Sequence, residues 1–133
     1  LPIEVKVVAQ SEFQEWLAQK KEEAAAAPDL TPFESLDAAM EVGEKVYAGQ
    51  CALCHGQNGE GGIGLAFAGS DFATKSEHLE EHIHVLLEGR NAMPAFKGQL
   101  TPKEIAAVVT YERNAWGNDT GDLIQPEDVH EEE

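Results

Sequence analysis

Cysteine is used twice in this 133-residue chain, at Cys51 and Cys54, and His55 follows the second directly. Two thiols three positions apart, with an imidazole behind them, admit three chemistries. A redox-active dithiol needs a strand before it and a helix after it within a parallel-sheet pattern. Here the motif follows a helical stretch, and no such pattern surrounds it. A structural zinc site needs four ligands, usually as two well-spaced pairs. The nearest other histidines, His78, His82 and His84, lie on a helix that already has a packing stripe. The third chemistry is covalent haem attachment, for which C-x-x-C-H is the specific signature. Each thiol adds to one haem vinyl group, the spacing sets both sulfurs along one porphyrin edge, and the imidazole then lies under the iron. The fixed histidine makes this signal stronger than a bare C-x-x-C, and haem attachment is the best match.

An iron held by one histidine keeps an open face, and the chain offers two methionines to fill it. Met40 lies on the helix leading into Cys51 and reads as a packing residue. Met93 sits in RNAMPAFKG, a proline- and glycine-punctuated loop between two helices, where Pro94 stiffens the backbone. Met93 therefore reads as the second axial ligand, with an ordinary core methionine as the alternative. Thioether sulfur favours ferrous iron and raises the potential. Filling both axial positions leaves no open site, which points to electron transfer and to no catalytic residue. A haem enzyme or sensor would need Met93 to leave the iron. His78-Leu79-Glu80-Glu81-His82 also matches the H-x-x-E-H zinc-protease pattern. No third ligand is evident, so these histidines read as surface residues.

Three helices must position these groups. One runs from Ser35 into Cys51, with Leu36, Met40, Gly43 and Tyr47 on one side. A second starts at Ser76, carries Leu79, Ile83, Leu86 and Leu87, and stops at Gly89. The third opens on Thr101-Pro102-Lys103-Glu104, which combines an N-cap, a first-turn proline and a capping-box glutamate. Its buried stripe is Ile105, Val108, Val109 and Trp116, and Gly117 ends it. Residues 118–133 carry seven acids and no Lys or Arg, so they read as a mobile acidic extension. At the other end, residues 1–9 alternate as a half-buried strand. Ser11 and Gln14 open a short helix, and residues 22–32 run into a proline-marked linker. One strand and one helix make no core, so this segment reads as the end of another domain, and the start at Leu1 as a cut within a longer chain.

With 25 acidic and nine basic residues, the formal net charge is −16. Phosphate backbones would be repelled, which excludes nucleic acid as a partner and leaves basic protein surfaces or plain solubility as readings. No apolar run approaches the ~20 residues that span a bilayer.

With CALCH, NAMPAF and a capped last helix in that order, residues 35–120 resemble a class I cytochrome c. In that family a glycine and an aromatic four residues later pack the first helix against the last, as Gly43, Tyr47 and Tyr111 would. The resemblance implies an all-α fold of about three main helices around one covalently bound haem c. It implies Cys51 and Cys54 as thioether links, His55 and Met93 as axial ligands, and Arg90 and Trp116 as contacts to the haem propionates. The family usually places a proline after the haem motif, whose carbonyl accepts from the proximal imidazole. Residues 61–65, GGIGL, hold no proline.

LPIEVKVVAQSEFQEWL resembles the end of the copper-bearing, cupredoxin-like domain of cytochrome c oxidase subunit II, to which some caa-type oxidases fuse a cytochrome c domain. Leu1 stands where that family has a copper-ligand methionine, so this chain builds no copper site. The implied organisation is a residual strand and helix over 1–26, a linker over 27–34, the cytochrome domain over 35–120 and an acidic tail over 121–133. The implied function is one-electron transfer from a respiratory donor, a bc-type complex or another cytochrome, to the dinuclear copper centre of the parent oxidase. The domain would face the periplasm on the outer side of a bacterial inner membrane. A free periplasmic cytochrome c shuttle is the alternative.

Overall fold

Residues 14–15 and 28–133 are described by the computed structural model. The expected strand over 1–9 lies outside them. Of the helix expected after Ser11, only Gln14 and Glu15 are described, and both are helical. The described residues form helices and loops with no strand, only two isolated bridges, Arg90 with Met93 and Lys97 with Leu100.

Helix α1 (Leu36–Gln50) starts where the Ser35 hydroxyl accepts from the Ala38 N–H at 3.1 Å. That satisfies one donor left open at a helix start. It buries Ala39, Gly43, Val46 and Tyr47. Cys51 ends α1 and at once begins the single turn α2 (Ala52–His55). A second turn, α3 (Asp71–Thr74), is capped by Ser70 and leads through a 3₁₀ turn at Ser76–His78 into α4 (Leu79–Glu88). Gly89, at φ 78°, ends α4 in a conformation that costs a side-chain-bearing residue. Helix α5 (Pro102–Asn114) carries a complete capping box: Thr101 Oγ1 accepts from Glu104 N–H, and Glu104 Oε1 accepts from Thr101 N–H.

The core is the crossing of α1 and α5. Gly43 sits on the backbone of Ala107, and a β-carbon there would lie 2.7 Å from Tyr111 Cβ and closer still to the Ala107 carbonyl oxygen. Both obstacles belong to a helix buried along most of its length, so neither can yield cheaply. Gly43→Ala is expected to destabilise the protein by about 2–3 kcal/mol through overpacking. Gly49→Ala, in the same helix with open space around it, should stabilise by about 0.5–1 kcal/mol from helix propensity. Thermal melts of the two variants that moved in the same direction would contradict this crossing.

Two expectations are corrected. Helix α5 ends at Asn114, short of Trp116. Trp116 adopts φ 56° and swings out of the helix to pack on Tyr47 and Tyr111, with ring centroids at 4.9 and 5.3 Å. The Asn114 side chain supports this exit by donating to the carbonyls of Thr110 and Asp122 and accepting from Gly121 N–H.

The acidic end is also no mobile extension. Gln125 and Asp128 form a capping box that opens α6 (Pro126–Glu131), while Ile124 and Val129 are buried in the core. Four apolar residues, Leu123, Ile124, Pro126 and Val129, fold the segment back, while Asp122 reaches the buried Arg113 and the other acids stay mostly exposed. The Gln125 side chain also accepts from Phe33 N–H at 2.8 Å and donates to the Phe33 carbonyl at 3.3 Å. Lys103 pairs with Asp29 and lies over the Phe33 ring. The chain from Asp29 onward is thus fastened to the helical body.

Candidate functional site

Local backbone geometry aims His55. The turn of α2 is closed by His55 N–H donating to the Cys51 carbonyl at 3.0 Å, and Cys51 N–H donates back to Tyr47 at 2.9 Å. The motif is therefore a direct continuation of α1. Behind it, the Gly61 and Gly64 N–H groups donate to the His55 and Cys54 carbonyls, each at 2.8 Å. The Tyr47 hydroxyl donates to Gly56 at 2.6 Å, and burial pushes that phenol far above its usual range.

His55 Nδ1 lies 2.8 Å from the Leu65 carbonyl oxygen. A carbonyl can only accept, so Nδ1 carries a proton, and in the neutral ring this leaves Nε2 bare, which is the metal-ligating form of imidazole. Leu65 thus provides the acceptor that the missing proline leaves open. A backbone carbonyl has no residue signature, which is why the sequence is silent on it. Gly64 lets the loop close on the ring: a β-carbon there would meet His55 Nδ1 at 2.7 Å. Phe67 flanks the imidazole at 4.4 Å between centroids.

Met93 is held by a tight turn in which Arg90 and Met93 exchange both backbone hydrogen bonds, at 3.2 and 2.9 Å, through Asn91 at φ 54°. Beyond it, Phe96 N–H donates to Leu86 at the end of α4, and the Phe96 side chain is buried. The loop is pinned on both sides of Met93.

These pieces border one cavity of about 300 Å³, lined by Cys51, Cys54 and His55 from one stretch of chain and by Arg90, Met93 and Pro94 from another. Phe67, Val85, Leu86 and Phe96 add apolar lining. Both thiols are free, and burial raises the Cys51 thiol well above its ordinary range. Of the residues singled out from sequence, the cavity brings together Cys51, Cys54, His55, Met93 and Arg90. Arg90 also bonds Glu81 at 2.7 Å, which holds the Glu81 carboxyl below its usual range. Trp116 does not line the cavity; it packs behind Tyr47 and Tyr111.

His82 corrects the surface reading of the α4 histidines. It is 2% exposed, lines the cavity, and bonds Glu112, itself 1% exposed, at 2.8 Å. His78 is partly exposed beside Glu77 and Glu81, as a surface residue would be. Among the described residues no cluster of three or more His, Cys, Asp or Glu could hold a metal ion.

The residues fit a haem: a largely apolar cavity, two thiols at its edge, an imidazole presenting a bare Nε2 and a thioether on the same lining. A helical shell around such a site is that of a class I cytochrome c. Residues 38–111 match the family model described as "Cytochrome C oxidase, cbb3-type, subunit III", and the chain belongs to this family of class I cytochromes c. Cytochrome c6 of Thermosynechococcus vestitus (strain NIES-2133 / IAM M-273 / BP-1) is 38% identical over 90 residues, covering 62% of this chain and 74% of that protein. Cytochrome c-552 of Thermus thermophilus is 38% identical over 91 residues, covering 57% and 69%. Among solved structures, cytochrome CL of Methylophaga aminisulfidivorans MPT aligns with a TM-score of 0.51 at 25% identity, over 71% of this chain and 65% of that one. The family fixes the cofactor as covalently bound haem c and the activity as electron carriage without enzymatic turnover.

Proposed function

We propose that the chain is the electron-carrying cytochrome c domain of an oxidase subunit II. In this reading Cys51 and Cys54 carry the thioether links, His55 Nε2 and Met93 sulfur hold the iron, and Arg90 faces the haem carboxylates. The observation that carries it is the gathering of both thiols, the bare imidazole nitrogen and the thioether on one cavity. Bound haem c supplies a one-electron couple. The protein's part is to keep both axial groups in place and exclude water, so that little rearranges when the electron arrives. The oxidase assignment rests on LPIEVKVVAQSEFQEWL and is supported by the fastening of Asp29 and Phe33 to the helical body. A tether clamped at its exit narrows the orientations the domain can sample, which raises the effective concentration of its acceptor. Electrons would enter from a respiratory donor and leave to the parent's dinuclear copper centre, on the periplasmic side of a bacterial inner membrane. No helix among the described residues is long and apolar enough to cross a membrane.

A free shuttle is the second reading, favoured by the two cytochromes named above, of which the aligned unit makes up 74% and 69%. The parent oxidase separates them. Tethered transfer from haem to copper runs at a rate independent of protein concentration, whereas a rate that rises in proportion to concentration favours the shuttle.

Docking should use the apolar rim of the cavity. Leu53 and Ile63 are 92% and 84% exposed, and Leu65, Ala92 and Pro94 lie exposed nearby in sequence or on the lining. Phe96 beside them is buried and takes no part in this rim. Exposed charges beyond a Debye length of roughly 8 Å are screened at physiological salt. Electron exchange with a basic donor should therefore weaken only modestly as salt rises. A fall of about tenfold or more would make the acidic surface the working interface.

A further inference from the structure

The pair of His82 and Glu112 is unexplained by electron carriage. Both side chains are buried, their Nε2–Oε1 contact is 2.8 Å, and both line the cavity. His82 Nδ1 is buried with no hydrogen-bond partner among the described residues. Stability does not account for the pair, because two apolar side chains of similar volume commonly serve a core as well or better. Its position does suggest a use. The Phe67 ring packs against both His55 and His82, 4.4 Å from the first and 5.7 Å from the second, nearly parallel to His82 at 19°. The Phe72 ring packs against His82 at 5.1 Å. A titratable pair therefore sits in an apolar layer, one aromatic ring removed from the imidazole assigned to the iron.

We infer that His82 and Glu112 form a proton-binding site linked to the redox state of the haem. The inference rests on His55 holding the iron. When an electron from the donor reduces the iron, the cavity gains one negative charge. A proton from solvent then binds the pair more tightly, forming an N–H bond at His82 Nδ1 while Nε2–H stays on Glu112. On oxidation the electron leaves for the acceptor and the proton returns to solvent. In a cavity of low effective dielectric, one added charge changes the proton affinity of a nearby group roughly tenfold.

The groups facing the pair from other elements do not compete for this proton. Tyr47 on α1 feels Glu112, and burial keeps its phenol neutral, while Cys51 is committed to its thioether link in the proposed reading. Arg113 on α5 is committed to Asp122 and to the carbonyls of Ala73 and Thr74. The His55 Nδ1–H donates to the Leu65 carbonyl. His84 on α4 itself is exposed, and His78, in the 3₁₀ turn before α4, lies beside Glu77 and Glu81 at the surface.

The test is the midpoint potential of the haem-loaded chain across neutral pH, with the His82 ring nitrogens followed by NMR in both redox states. The potential should fall with rising pH through a single window, by about 59 mV in all for a tenfold linkage. His82 should titrate at higher pH in the ferrous form. Both His82→Leu and Glu112→Gln should flatten the profile while keeping the absorption spectrum. A slope that survives His82→Leu would assign the proton to the haem carboxylates and overturn the inference. So would a flat wild-type profile or identical His82 titrations, and neither depends on a variant folding. Failure of the chain to hold haem would instead overturn the functional reading beneath it.

Discussion

Replacing Cys51 and Cys54 together by alanine is expected to yield a chain that neither retains haem nor folds cooperatively. The cavity of about 300 Å³ lies among the residues that otherwise make the core. At about 24 cal/mol per Å³, leaving it unfilled costs about 7 kcal/mol, which matches or exceeds the whole stability of many small domains. Collapse cannot recover this, because α1 and α5 already meet at Gly43 and the Met93 loop hangs on the end of α4. Helix signal should survive in part, since the Ser35 and Thr101 caps are local. A sharp thermal transition in the haem-free double variant, near that of the loaded protein, would contradict the filled-core account.

Met93→Ala should leave the haem attached but change its chemistry. As the softer axial group in the proposed ligation, the thioether favours ferrous iron, and removing it takes that preference away. Axial-ligand identity sets haem potentials over a span of about 0.8 V, so a drop on the order of a few tenths of a volt is expected. The weak ferric band at the red end that marks sulfur–iron ligation should vanish with it. Met40→Ala should change neither, since Met40 does not line the cavity. If Met93→Ala kept both the band and the potential, another group would hold the sixth position.

The parts legible in the sequence share a physical cause: their signals are local. Ser35, the Thr101 capping box and Gly89 declare helix ends through side chains acting within a turn of themselves. The C-x-x-C-H spacing works in the same way. What escaped depends on contacts distant in sequence or on backbone atoms. The His82 and Glu112 pair joins residues 30 apart, and each alone reads as a surface polar residue. The Leu65 carbonyl has no side-chain signature at all. Trp116 fitted the helical stripe of α5, yet its aromatic contacts with Tyr47 outweigh one more helical turn and hold it at positive φ. In residues 118–133 seven acids mask the spacing of Ile124 and Val129, and the burial of those two is what folds the segment.

An optical redox titration of the haem-loaded chain tests the central claim most directly. Haem should stay bound after denaturation, and the spectrum should interconvert as a one-electron couple at positive potential. A red-end ferric band should be present and disappear on reduction. Haem that extracts freely, or a ferric spectrum without that band and open to added ligands, would contradict an electron carrier built on Cys51, Cys54, His55 and Met93.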